Sequence, residues 1–112
     1  MKRGEIYHSG HPEPERGGKP GYYVVVSRDL VAAHDAIETV VCAPVYSAIL
    51  GIPTEVVIDE AQGVRRRSAI RCDFLMLLFK HRLRQFVGTL PPAKVRELDR
   101  ALAVALDLSL NS

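Results

Sequence analysis

Residues 91–108 read PPAKVRELDRALAVALDL, and their reading decides the fold class. Pro91 and Pro92 stand where an α-helix tolerates proline, at its first turn. Behind them Val95, Leu98, Leu102, Ala105 and Leu106 recur at i, i+3, i+7, i+10 and i+11, which gathers apolar side chains on one helical face. Upstream the signals are different. Gly4 to His8, Tyr22 to Ser27, Glu38 to Ala43, Thr54 to Ile58, Ser68 to Phe79 (with room for a break) and Gln85 to Leu90 are short β-branched or aromatic runs, separated by Asp, Gly and Pro. HPEPERGGKPG, residues 11–21, is a loop by its proline and glycine content, and Arg28 to Ile37 has room for one weakly signalled helical turn. Many short strands followed by one amphipathic helix predict an α+β fold: a small, strongly bent antiparallel sheet or barrel with a C-terminal helix packed on it.

At 112 residues the chain is expected to form a single domain, 1–112, with one core of ordinary small-domain size. Its composition, 47% hydrophobic and 25% charged, is that of a globular protein and excludes a disordered one. The start MKRGEIYHSGH lacks the apolar run of a secretory signal, and no later run is long enough to span a membrane, so a cytoplasmic location without membrane contact is expected. Cys42 and Cys72 lie in β-like apolar segments without metal or redox spacing, and read as reduced core residues. No metal or cofactor is implied.

The net charge of +2 is too small to point to nucleic acid by itself. Its distribution says more: Arg65, Arg66, Arg67 and Arg71 form one cluster and Lys80, Arg82 and Arg84 another, patches that attract phosphate or, more blandly, solvated loops. SAIRCDF, residues 68–74, sets Arg71 and Asp73 two positions apart in an apolar stretch. Alternation on a strand would put Arg67, Ala69, Arg71 and Asp73 on one face, and Ser68, Ile70, Cys72 and Phe74 on an inward one. Arg71 and Asp73 would then project together, with Cα atoms roughly 6.5–7 Å apart, as a surface ion pair or as part of a site. The apolar run Phe74 to Phe79 reads as a buried strand, a dimer seam or both, and a homodimer through the surface around Leu75 to Phe79 is expected.

RGEIY (3–7), the Gly/Pro loop leading into YYVVVS (22–27), CAPVYS (42–47), PTEVVID (53–59), SAIRCD (68–73) and VGTL (87–90) before the helix together resemble the MazF/PemK (Kid) toxin family. That resemblance implies an SH3-like barrel of the CcdB and MazF type. It implies a cytoplasmic homodimer that cuts single-stranded RNA at short sequences without a metal, and that a cognate antitoxin inhibits by laying an extended segment along the dimer. In the Kid branch the catalytic Arg and Asp lie in an R-C-D triplet, here Arg71, Cys72 and Asp73. A loop histidine completes the set; GHPEPERGGKP offers His11, with His8 as the fallback.

The chain also departs from the pattern. Lys19-Pro20 stands for an Arg-Pro if two residues are inserted, whereas an ungapped alignment back from Ser27 puts Gly21 and Tyr22 there; Tyr46 stands where some members carry a threonine, leaving Ser47 or the Tyr46 hydroxyl to approach phosphate. FLMLL (74–78) replaces a polar stretch, so a second RNA-contacting arginine is missing. The implied RNA-binding residues are Lys19, Tyr46, Ser47 and Arg67. Metal-free cleavage needs a base for the 2′-OH, an acid for the leaving 5′-oxygen and positive charge on the phosphorane. Asp73 fits the base, Arg71 the fixed charge and His11 a donor near neutral pH. The alternative on the same fold is a non-catalytic, CcdB-like binder, such as a gyrase poison or a toxin relic that only binds its antitoxin.

Overall fold

The computed structural model describes residues 1–10 and 14–110, the side chain of Glu15 aside. Seven strands and two helices form among the described residues: β1 (Glu5–His8), β2 (Tyr22–Val25), α1 (Asp29–Ala32), β3 (Thr39–Tyr46), β4 (Glu55–Ile58), β5 (Ser68–Arg71), β6 (Met76–Phe79), β7 (Gln85–Thr89) and α2 (Pro92–Leu106). Single 3-10 turns occupy Pro14–Arg16, Glu60–Gln62 and Lys80–Arg82. All strand pairs are antiparallel, in the order β4-β5-β3-β2-β1-β7, with β6 on β3. This is the curled sheet with a C-terminal helix that the sequence predicts.

β3 is the hinge of the sheet. Its first half, Thr39 to Cys42, pairs with β6, while Val45 and Tyr46 pair with β5. The change of partner falls at Ala43 and Pro44, and the proline there brings no N–H that a neighbour must satisfy. Changing partners along one strand lets the sheet bend round on itself, which buries both of its faces. Ile6, Val24, Val45, Val56 and Ile70 form one core with Leu98 and Ala101 of α2, whereas Tyr23, Val25, Val40, Cys42 and Leu78 form a second, on which Ala32 of α1 packs.

α2 starts on Pro92 and ends at Asp107, which takes a left-handed conformation (φ 56°) so that Leu108 N–H can close on the Ala103 carbonyl at 2.8 Å. Leu98 is fully buried on the expected face, with Val95, Leu102 and Ala105 packed partly against the core. Leu106, expected on that face, is instead 52% exposed, because the helix ends there and nothing lies beyond it to pack on. Lys94 Nζ donates to the Val57 carbonyl at 2.7 Å and pins the helix to β4.

The stretch Ser68 to Phe79 is broken, and the break corrects the facing of its residues. β5 stops at Arg71, and Phe74 N–H returns to the Arg71 carbonyl (3.3 Å) in a turn, so strand alternation does not reach Asp73 or Phe74. Ser68, Ile70 and Cys72 are buried as expected, but Phe74 is 43% exposed, and Ala69, placed on the open face by alternation, has no exposure because β5 is covered on both faces. Cys42 and Cys72 are free, buried thiols, and burial pushes both up to about 12. Among the described residues no helix is long and apolar enough to cross a membrane.

Candidate functional site

His8 ends β1 and lies opposite Tyr22 of β2, their rings meeting edge to face with centroids 5.0 Å apart. After the Pro14–Arg16 turn, Gly17 (φ 66°) and Gly18 (φ 82°) take left-handed conformations that few other residues adopt, and the chain doubles back toward β2. The reversal lays the Arg16 guanidinium directly against Gly21: a Cβ on Gly21 would stand 2.1 Å from Arg16 Nε. The same guanidinium lies 4.4 Å from the Tyr46 ring centroid and 5.3 Å from that of Tyr23, and Nη2 donates to the Val45 carbonyl. Its Nη1 is buried without a hydrogen-bond partner among the described residues.

Facing Arg16 across a cleft of about 620 Å³ are Ser47, just beyond β3, and Arg65, Arg66 and Ser68 at the approach to β5; His8, Lys19 and Tyr22 complete its sides. Ser68 Oγ donates to the Arg66 carbonyl at 2.9 Å, which holds the arginine segment to the strand. Arg16, Lys19, Arg65 and Arg66 thus converge from two distant segments, and no carboxylate lines the cleft among the described residues. A concave wall of one sign concentrates its field on an anion. The cost of charging His8 rises accordingly: burial first, then Arg65 and Arg16, hold its pKa below the ordinary 6.5.

Arg71 and Asp73 do not line this cleft. They form a two-pronged ion pair, Nε to Oδ1 at 2.8 Å and Nη2 to Oδ2 at 2.7 Å, at the turn after β5. The Arg71 hydrogen bond and a further one from Thr54 hold the Asp73 carboxyl below its usual range, so it is ionised at neutral pH. Asp73 raises Arg71 in turn, and Glu55, opposite Arg71 in the β4–β5 register, adds to this. Glu55 is itself held by the backbone N–H groups of Leu50, Gly51 and Ile52. Tyr46 joins the pair to the cleft, its ring centroid lying 6.0 Å from Arg71 Cζ and 4.4 Å from Arg16 Cζ, with Phe74 edge-on at 6.4 Å.

Of the residues singled out in the sequence, Lys19 and Ser47 therefore line the cleft, Tyr46 stands at its edge and Arg71 with Asp73 lies across Tyr46 from it. Arg67 is exposed and borders no described cleft, a place taken by Arg65 and Arg66. His11 lies outside the described residues; His8 is in the cleft. Sequence reasoning passed over Arg16. The only sequence trace of its role is the pattern Arg16-Gly17-Gly18 with Gly21 to follow: two glycines to turn the chain and a third to make room. Among the described residues, no three His, Cys, Asp or Glu side chains gather as a metal ion would require.

The chain resembles the Mycobacterium tuberculosis toxin MazF-mt6 at 24% identity, with a TM-score of 0.81 over 94% of this chain and 98% of that one. An endoribonuclease solved in complex with its cognate antitoxin from a mycobacterial species is 25% identical, with a TM-score of 0.81 over 97% of each chain. An endoribonuclease from a mycobacterial species is 26% identical, with a TM-score of 0.76 over 96% and 92% of the two chains. The profile of the PemK-like, MazF-like toxins matches residues 2–106. With a family match over nearly its whole length and the fold of those toxins, this chain belongs to the PemK-like, MazF-like toxins of type II toxin–antitoxin systems.

Proposed function

We propose that the protein is an endoribonuclease toxin that cuts single-stranded RNA at short sequences without a metal, and that a cognate antitoxin neutralises it. The observation that carries this reading is the convergence of Arg16, Lys19, Arg65 and Arg66 with His8 and Ser47 on one carboxylate-free cleft beside the Arg71–Asp73 pair. Four cations in a concavity bind a phosphate backbone without reading its sequence. The scissile phosphate sits toward the Tyr46 edge, where Arg71 on one side and Arg16 on the other both approach the ring.

In the reaction the 2′-oxygen attacks phosphorus. The O2′–P bond forms, the P–O5′ bond breaks, the 2′-OH proton passes to the Asp73 carboxylate, and the leaving 5′-oxygen takes a proton from a histidine. Asp73 is a weak base because Arg71 lowers it, but at neutral pH it is in the form that accepts a proton. Arg71 cannot lose its charge and stabilises the phosphorane oxygens. The histidine standing in the cleft is His8. Burial first, then Arg65 and Arg16, discourage its protonation, and a bound phosphate offsets the share that comes from the arginines. His11 keeps the donor role that the family pattern gives it until the two are compared by substitution.

The toxin works as a homodimer in the cytoplasm. Among the described residues β6 is paired only with β3, and Leu77 (68% exposed) and Phe79 (48%) lie along it, with Phe74 (43%) just before it. An edge strand carrying apolar side chains associates with a second copy rather than remaining in water. The antitoxin takes an extended course along that dimer.

The test is incubation of the purified protein with a long RNA in EDTA. Discrete cuts leaving cyclic phosphate and 5′-hydroxyl ends are expected; an intact RNA overturns the reading. One observation favours a non-cleaving binder: Asp73 already occupies two donors of Arg71. In that case the same experiment yields intact RNA.

A further inference from the structure

Beside the phosphate cleft lies a second pocket of about 330 Å³, bordered by Gly63, Gln85 and Val87 and sharing His8, Tyr22 and Arg65 with the first. Its floor is a row of cross-strand neighbours. Gln85 of β7 is opposite His8 of β1, and His8 is opposite Tyr22 of β2, so the three side chains lie next to one another on the same face of the sheet. The face is the one that carries Ile6 and Val24 into the core, which makes the row the open end of a rigid, buried surface. Resting on the proposed RNA reading, we infer that the Gln85–His8–Tyr22 row is a subsite for one unstacked nucleobase of the RNA, the pocket that selects the base next to the bound phosphate.

Three features support the assignment. The edge-to-face His8 and Tyr22 rings offer apolar, polarisable surface against which a splayed-out base packs, and the adjoining cations hold its phosphate, the combination by which single-stranded nucleic acid is bound. Gln85 is exposed and carries both a donor and an acceptor at one end of the row, while Arg65 supplies a donor fork at the pocket's rim. Such groups read base edges; aromatic rings alone do not.

The third feature is that the pocket is built to hold its shape. Gly63 has a left-handed φ of 99°, and a Cβ there would stand 2.8 Å from both Cγ1 and the carbonyl oxygen of Val87. A Cβ on Gly88 would stand 2.6 Å from the Gln62 carbonyl oxygen. The turn that carries Gln62 and Gly63 therefore lies in closest contact with β7, and the Asp59–Gln62 capping box fixes that turn. β7 bulges at the same place: Ile6 pairs with Gly88 but Tyr7 pairs with Phe86, leaving Val87 over. A bulge re-aims a strand, which here brings Gln85, Phe86 and Val87 in succession to the border of one pocket.

The test is end-mapping of cuts in an RNA pool of random sequence, with wild type, Gln85→Ala and Gln85→Glu, and thermal unfolding as a folding control. Wild type is expected to prefer one base at a position flanking the cut. Gln85→Ala should reduce that preference roughly 10-fold, the loss of one good base contact. Gln85→Glu, which loses the donor, should change the preferred base. An unchanged preference in both variants, or a uniform fall at every site with preference intact, overturns the subsite. If wild type cuts nothing, the nuclease reading fails separately, and anisotropy with 2′-deoxy oligonucleotides of varied base decides the subsite. A base preference in binding that Gln85→Ala removes supports it; binding without preference, or with one that Gln85→Ala leaves untouched, overturns it.

Discussion

Replacing Gly21 by alanine would place a methyl group 2.1 Å from Nε and 2.3 Å from Cζ of Arg16, contacts that no pair of atoms sustains. Gly21 is not among the glycines with positive φ, so its backbone accepts alanine and the guanidinium is what moves. Eviction loses two cation–π contacts of about 0.5–1 kcal/mol each and a charged hydrogen bond to Val45 of about 1.5–3 kcal/mol. Against this, the buried Nη1 reaches water and recovers about 1–3 kcal/mol. The net cost is about 1–2 kcal/mol, a fall in Tm of roughly 4–8 °C.

Arg16→Ala should cost about the same, and in that background Gly21→Ala has nothing left to evict. It should then be neutral, or stabilising by about 0.4–1 kcal/mol through the unfolded chain. Denaturant unfolding of the four proteins closes the cycle, with an expected coupling of about 1–2 kcal/mol between two residues five positions apart in the chain. RNA affinity should fall in both single variants and no further in the double. An equal cost for Gly21→Ala in both backgrounds would refute the cradle, and with it the placement of Arg16 in the cleft.

Asp73→Asn should lower single-turnover cleavage by about 10²–10⁴-fold while shifting stability by less than about 1 kcal/mol, since the pair is partly exposed; retained cleavage would remove Asp73 from the reaction. The same pair gives a pH signature: Asp73 is lowered in the fold, so its contribution is complete above the unfolded carboxyl pKa and is lost as pH falls through the folded one. His8 should titrate by NMR below 6.5 and move upward in Arg65→Ala. Because the unfolded chain takes up that proton first, His8 withdraws stability as pH falls below 6.5 and restores it above; a midpoint above 6.5 would contradict the cleft's positive field. Leu77→Glu on the exposed edge of β6 should convert a dimer to a monomer in sedimentation at micromolar concentration, and a wild-type monomer would dismiss that interface.

Local patterns were enough to fix the element order. The helix over residues 92–106, each strand to within a few residues and the break inside Ser68 to Phe79 all follow from periodicity and punctuation, which act over neighbours a turn or a pleat apart. The Arg71–Asp73 pair was legible for the same reason, being two residues apart, although a turn and not strand alternation brings it together. What the sequence could not disclose is the cleft. Arg16 is 30 residues from Tyr46 in a loop without periodicity, and Arg65 is farther still. They meet because β3 carries Val45 and Tyr46 between the β2 and β5 sides of the sheet and because Gly21 has no side chain to keep a guanidinium away. Phe74 and Leu106 were misplaced for the complementary reason: periodicity states which face a side chain takes, whereas burial depends on whether another element arrives to cover it. Local chemistry thus chose the strands, the helix and the ion pair, and only closure of the sheet decided which distant cations share one cavity.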